Sequence, residues 1–89
     1  MPRISFTRNL ASHVECEPRV VGGETVRAAL DEYFVTNPAP RTYVLDEHGA
    51  VRKHVVVFVD GVQCWDRTEL GDPVGAASEI YVMQALSGG

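Results

Sequence analysis

One stretch, TVRAALDEYFVT over residues 25–36, carries a helical period and sets what the rest of the chain must do. Val26, Ala29, Leu30, Tyr33 and Phe34 recur at i, i+3, i+4, i+7 and i+8, which puts five apolar side chains on one helical face. Thr25 is placed to cap the N-terminus through its hydroxyl, and Glu24 adds negative charge near the positive end of the helix dipole. Gly22-Gly23 breaks the chain just before it. Asn37-Pro38 ends it, because the residue before a proline is pushed out of the α region. A single helix with one apolar face needs a sheet to bury that face, so an α+β domain is expected.

The remaining apolar residues supply that sheet with a period of two. Residues 3–8 alternate Ile4 and Phe6 with Ser5 and Thr7, as a half-buried strand does. Residues 13–21 form a second extended run, with Val14 and Cys16 on one side. Pro18 cannot donate a ladder hydrogen bond, so this run belongs at an edge or a bulge. After the helix, residues 42–45 and 51–60 flank Asp46-Glu47-His48-Gly49, which is expected to turn as a hairpin. Asp60-Gly61 is a second turn pair, with a short return strand over residues 62–65. Leu70 is expected to plug the core, residues 71–78 form a loop, and residues 79–85 make the last strand. The expectation is a mixed sheet of four to five strands with one main helix, about residues 25–36, on one face. The domain is placed at residues 1–85 and a flexible tail at 86–89.

Strand parity separates core from surface. Val55, Val57 and Val59 form the better core face of the long strand, which puts Val56 and Phe58 on the other. In the last strand Ile80 and Val82 alternate with Tyr81 and Met83. If the two strands pair, Phe58, Tyr81 and Met83 are exposed together, and exposed apolar patches mark partner surfaces. A slip of one residue would bury them instead.

Composition removes several functions. The chain has 89 residues, 12 acidic against 8 basic, for a net charge of −4. The basic residues are scattered, whereas nucleic-acid binding needs a concentrated basic face. Residues 1–10 lack the apolar core of a signal peptide, and the longest apolar run, residues 55–59, is far short of the roughly 20 needed to span a bilayer. A cytoplasmic protein without membrane or nucleic-acid partners is expected. Cys16 and Cys64 read as free, buried thiols. His13, His48 and His54 do not join them in any paired spacing, so no metal site is expected, and two cysteines cannot hold an iron–sulfur cluster. Asp31-Glu32, Asp46-Glu47 and Asp66 read as solvated carboxylates. Trp65 and nearby Arg67 stay open between core packing and a small partner contact.

With these elements in place the chain resembles the ubiquitin-like β-grasp fold. Within it the likeness is to the ThiS/MoaD sulfur carriers, which include the thiamine sulfur carrier and the small subunit of molybdopterin synthase. The residues that carry it are TVRAAL at 25–30, VFVDG at 57–61 and SEIYVMQALSGG at 78–89. The resemblance implies a carrier, not an enzyme, with Gly89 as the site of adenylation and thiocarboxylate formation. It implies that Leu86, Ser87 and Gly88 give access to a partner's site, and that the face of Phe58, Tyr81 and Met83 docks that partner. The implied partners are a ubiquitin-activating-type adenylyltransferase, a sulfur donor protein and a downstream sulfur-accepting synthase. No cofactor is bound, and ATP is consumed on the partner. The segment 38–53 is longer than the minimal pattern, and DPVGAASE at 72–79 replaces a tight turn, so the sulfur acceptor stays open.

The tail suits that chemistry. A terminal carboxylate with a pKa of ~3.5 is ionised at neutral pH and is a poor electrophile until activated. The chain has no GxxxxGK[ST] loop for ATP phosphates, so a partner must bind the nucleotide. Residues 86–89 span at most about 14 Å when extended, and two glycines pass where a side chain would clash. The same tail serves a protein modifier joined to lysines through Gly89. A third possibility is a β-grasp interaction module whose tail is incidental.

Overall fold

The computed structural model describes residues 1–7 and 17–84. The expected helix forms as α1, Val26–Thr36, with Thr25 as its N-cap. The Thr25 hydroxyl accepts from the Ala28 amide at 3.1 Å, which satisfies one of the unpaired donors of the first turn. The five periodic residues Val26, Ala29, Leu30, Tyr33 and Phe34 are the ones α1 buries.

Among the described residues five strands accompany it: β1 Arg3–Phe6, β2 Arg19–Val20, β3 Val55–Val59, β4 Val62–Gln63 and β5 Glu79–Gln84. They form one mixed sheet in the order β2-β1-β5-β3-β4. β1 and β5 lie parallel at its centre, with Ile4 beside Ile80 and Phe6 beside Val82. β3 runs antiparallel to β5, pairing Val57 with Val82 and Val59 with Ile80. This is the ubiquitin-like β-grasp arrangement. Ile4, Val55, Val57, Ile80 and Val82 meet the apolar stripe of α1 in a single core. The Asp60-Gly61 turn forms as expected, with φ of 50° and 84°, the left-handed pair that a two-residue hairpin requires.

Residues 38–53 depart from expectation. Thr42–Leu45 was expected as a strand, yet Arg41–Val44 is a short helix, α2. Val44 and Leu45 are consecutive and both fully buried. A strand would send one of them to each face, whereas a helical turn ending in an extended residue lets both point inward. The turn at Asp46 to Gly49 does form, but it joins only the isolated bridge of Leu45 with Val51. The long strand expected from Val51 starts instead at Val55, after a turn closed by the Val55 amide on the Arg52 carbonyl at 3.0 Å.

The outlying loops are held by Arg27. Its guanidinium donates to the carbonyls of Glu69 at 3.2 Å and Thr68 at 3.0 Å, and also to that of Gly49. Its backbone amide donates to Leu70 at 2.8 Å. Leu70 is fully buried at φ 57°, a left-handed conformation that costs about 1–2 kcal/mol. The Asp66 carboxylate holds the loop around it by accepting from the amides of Glu69 at 2.9 Å and Gly71 at 3.1 Å. Gly49, at φ 83°, approaches so closely that a Cβ there would sit 3.3 Å from an Arg27 nitrogen. Arg27→Ala is expected to destabilise the protein by about 2 kcal/mol, since hydrogen bonds to a charged donor contribute more than neutral ones. Arg27→Lys should recover less than half, because an ammonium is a compact point charge without the planar fork that reaches carbonyls of two separate segments. A lower urea midpoint at unchanged slope is the expected reading.

Candidate functional site

Among the described residues no helix covers the sheet face opposite α1, and the strand register decides what it shows. Phe58 pairs directly with Tyr81, and Val56 with Met83. These four side chains form a compact apolar block on β3 and β5. Tyr81 is 40% exposed; Val56, Phe58 and Met83 are half-buried. The three residues expected to share a surface are therefore brought together, and Val56 fills the fourth corner. Ser5 lies on the far side of Tyr81 in β1. One end of the face is polar, with Arg3 beside Glu79. The Glu79 amide donates to the Asp60 carboxylate at 2.9 Å there, which locks the β3–β5 register at that end. The apolar block occupies the opposite end, toward the C-terminal end of β5. Leu86, Ser87, Gly88 and Gly89 lie outside the described residues, as do His13, Val14 and Cys16.

The hairpin of β3 and β4 extends this surface. Its register pairs Phe58 with Gln63, and the Cys64 amide donates to the Val57 carbonyl at 2.7 Å. Continuing the count brings Trp65 level with Val56. Trp65 is 89% exposed, which settles against core packing. Sequence reasoning had the means to see this: counting outward from the Asp60-Gly61 turn gives the same register.

Trp65 is exposed on a firmly held backbone. Its amide donates to Asp72 Oδ2 at 3.0 Å, and the Asp66 amide to Asp72 Oδ1 at 3.1 Å. The amide of Trp65 and then that of Asp66 hold the Asp72 carboxyl below its ordinary range. The amides of Glu69 and Gly71 do the same for Asp66. Cys64, between β4 and this loop, is free and buried. Its Sγ lies 3.7 Å from the Asp66 carbonyl. Burial, with the neighbouring Asp72 carboxylate, pushes its thiol up to about 11, so at neutral pH it is neutral and a poor nucleophile. Among the described residues no three His, Cys, Asp or Glu side chains gather as a metal site would need. No helix there is long and apolar enough to cross a membrane.

No protein-family model matches the chain, and no curated protein matches it in sequence. Solved structures do match, over nearly its whole length. SAMP1 from Haloferax volcanii is 25% identical, with 99% of this chain and 98% of that one covered, at a TM-score of 0.76. A structure of the Amycolatopsis orientalis BexX/CysO complex matches at 18% identity, 100% coverage of both chains and a TM-score of 0.82. Mycobacterium tuberculosis CysO, described as an antigen, is 13% identical, with 97% of this chain and 100% of that one covered, at a TM-score of 0.80.

The state of Cys64 is directly measurable. In the native protein its labelling by a thiol-specific disulfide reagent at pH 7 is expected to be slow. Labelling should reach completion within the mixing time once urea unfolds the chain. Fast labelling at Cys64 in the folded protein would contradict a buried, protonated thiol.

Proposed function

The chain has the ubiquitin-like β-grasp fold of the ThiS/MoaD-like sulfur carriers, and from that premise we propose that it is a carrier protein whose reactive group is the carboxylate of Gly89. The observation that carries this reading is a conjunction. The fold's last central strand, β5, runs in sequence into ALSGG, residues 85–89. A neutral, buried Cys64 makes a poor alternative bearer of sulfur.

The chemistry needs a partner enzyme. A carboxylate oxygen of Gly89 attacks the α-phosphate of ATP, and pyrophosphate leaves. The resulting acyl-adenylate has a good leaving group, so a sulfur nucleophile from a donor protein displaces AMP. The oxygen shared with phosphorus leaves in AMP. If the donor presents a persulfide, a second thiol of the donor then attacks the donor-side sulfur, forming a donor disulfide and releasing Gly89 as the thiocarboxylate. With sulfide as nucleophile the thiocarboxylate forms directly. The thiocarboxylate then delivers that sulfur to an accepting synthase. Leu86, Ser87 and Gly88 form the tether, with Gly88 lacking the Cβ that a narrow entrance would exclude. The apolar block of Phe58, Tyr81 and Met83 is the surface by which the activating enzyme holds the domain while the tail enters its site. The domain, on this reading, occupies residues 1–85 and works in the cytoplasm.

A second reading has one specific support. The Haloferax volcanii neighbour SAMP1 is a small archaeal modifier protein. In a modifier the same acyl-adenylate would be passed on to an amine, forming an amide bond to a lysine of another protein. Both readings require Gly89 activation and differ only in the nucleophile that follows.

Intact mass separates them. Incubated with its activating enzyme, ATP and a sulfide source, the protein is expected to gain the mass difference between sulfur and oxygen. Deleting Gly88-Gly89 should abolish the gain. Cell lysates that show a ladder of conjugates surviving thiol reduction, and losing it with Gly89, would favour the modifier. Retention of function after that deletion would leave the tail incidental and sink both readings.

The docking surface has its own test. Tyr81→Ala removes an exposed ring and should leave stability within about 0.5 kcal/mol. Its KM for activation should rise about tenfold with kcat nearly unchanged, the signature of lost ground-state binding.

A further inference from the structure

The two edges of the sheet differ. β2 carries Pro18 just before it and the Arg19–Glu17 ion pair at 3.4 Å along it, which are devices that discourage strand addition. β4 carries none. Its Val62 is 65% exposed and leads through Gln63 and Cys64 to the exposed Trp65.

The hairpin register also frees a particular backbone unit. Val59–Val62 pair at the turn, Phe58–Gln63 follow, and the Cys64 amide returns to Val57 at 2.7 Å. In an antiparallel ladder, bonded and non-bonded pairs alternate. Gln63 therefore falls at a non-bonded pair, with its N–H and C=O directed to the free edge. Beside it lies an open cleft of about 310 Å³ lined by Val62, Gln63, Cys64, Trp65 and Arg67.

Charge at this cleft is divided. Arg67 donates one nitrogen to the Arg52 carbonyl at 2.7 Å, and the Val51 amide donates to the Arg67 carbonyl at 2.8 Å. Val51 and Arg52 thus run beside Arg67. Among the described residues, the observed ion pairs include none with Arg52, Lys53 or Arg67. The nearby carboxylates, Asp66 and Asp72, already accept from loop amides. Arg52 donates to the Thr42 carbonyl at 2.6 Å and faces the Asp46 carboxylate, which leaves the Arg67 guanidinium as the cation that lines the cleft.

We propose that the β4 edge is a docking site for an extended segment of a protein partner, which adds as a strand to Gln63, seats an apolar side chain against Trp65 and Val62, and brings a carboxylate to Arg67. An extended segment uses the open backbone pair of Gln63, which a globular apolar patch would leave unpaired. Strand addition supplies affinity through the main chain, and the cleft and Arg67 supply specificity. The Asp72 bonds fix the backbone at Trp65, so little ordering is needed on binding. Peptide binding at this edge is read without any activation chemistry.

Trp65 is the only tryptophan, so its emission reports on the cleft without labelling. The test is selection of a phage-displayed random heptapeptide library on the full chain, followed by titration of the enriched peptides. Enriched peptides should share an apolar residue with Asp or Glu beside it, shift Trp65 emission to the blue, and perturb the Gln63 amide resonance. Raising salt should weaken them. Trp65→Ala, at a position that packs little in the fold, should cost at least about tenfold in affinity. Arg67→Gln, which keeps a donor for the Arg52 carbonyl, should weaken acidic peptides and leave their alanine counterparts unchanged. The proposal is overturned if no peptide is enriched, or if the enriched peptides bind Trp65→Ala as well as the native protein. It is equally overturned if the native protein dimerises at assay concentration through an interface that Trp65→Ala abolishes, which would assign the edge to a second copy.

Discussion

The Arg27 guanidinium is the tie on which the arrangement of loops depends. It sits in the first turn of α1 and reaches the carbonyls of Gly49, Thr68 and Glu69. Each belongs to a segment that has no regular structure of its own to hold it. Through these bonds one side chain anchors both the turn after α2 and the loop that inserts Leu70. Those segments in turn deliver Val44, Leu45, Val51 and Leu70 to the core. A planar fork of donors suits this task, and no other side chain offers the same geometry.

Among the described residues one long helix, α1, packs on the sheet, and it buries one face. Small domains have too little material to cover both. The core takes Ile4, Val55, Val57, Ile80 and Val82, and the opposite parity then carries Val56, Phe58, Tyr81 and Met83 outward as a necessary result. The apolar character of those outward residues is a separate choice of the sequence, since polar side chains would satisfy the same fold. The polar pairings of Arg3, Glu79 and Asp60 at the other end show such a choice on the same strands.

Structural likeness at 13–25% identity is consistent with how little the fold demands. It needs a helical stripe of the right length, alternating strands, and left-handed residues at the tight turn. Many side chains meet those conditions. What individual loops add is less constrained. The loop of residues 64–72 spends two carboxylates on its own amides and leaves an indole in solvent. Nothing in the packing of the core requires that.

The sequence alone determined α1 and its buried stripe, because Val26, Ala29, Leu30, Tyr33 and Phe34 fit only one period. It also determined the Asp60-Gly61 turn, and the parity that turns Phe58, Tyr81 and Met83 outward together. These are local properties, set by backbone sterics and side-chain alternation. Tertiary structure decided the rest. Thr42, Tyr43 and Val44 have strand propensity, yet the segment became α2 because Val44 and Leu45 both had to reach the core. Val51 to His54 left the strand for a turn closed by the Val55 amide on the Arg52 carbonyl. The adjacency of Arg67 to Arg52, the ring of donors around Asp66 and Asp72, and the free edge at Gln63 join residues far apart in the chain. Such contacts follow from burial and hydrogen bonding in three dimensions, and no local pattern encodes them.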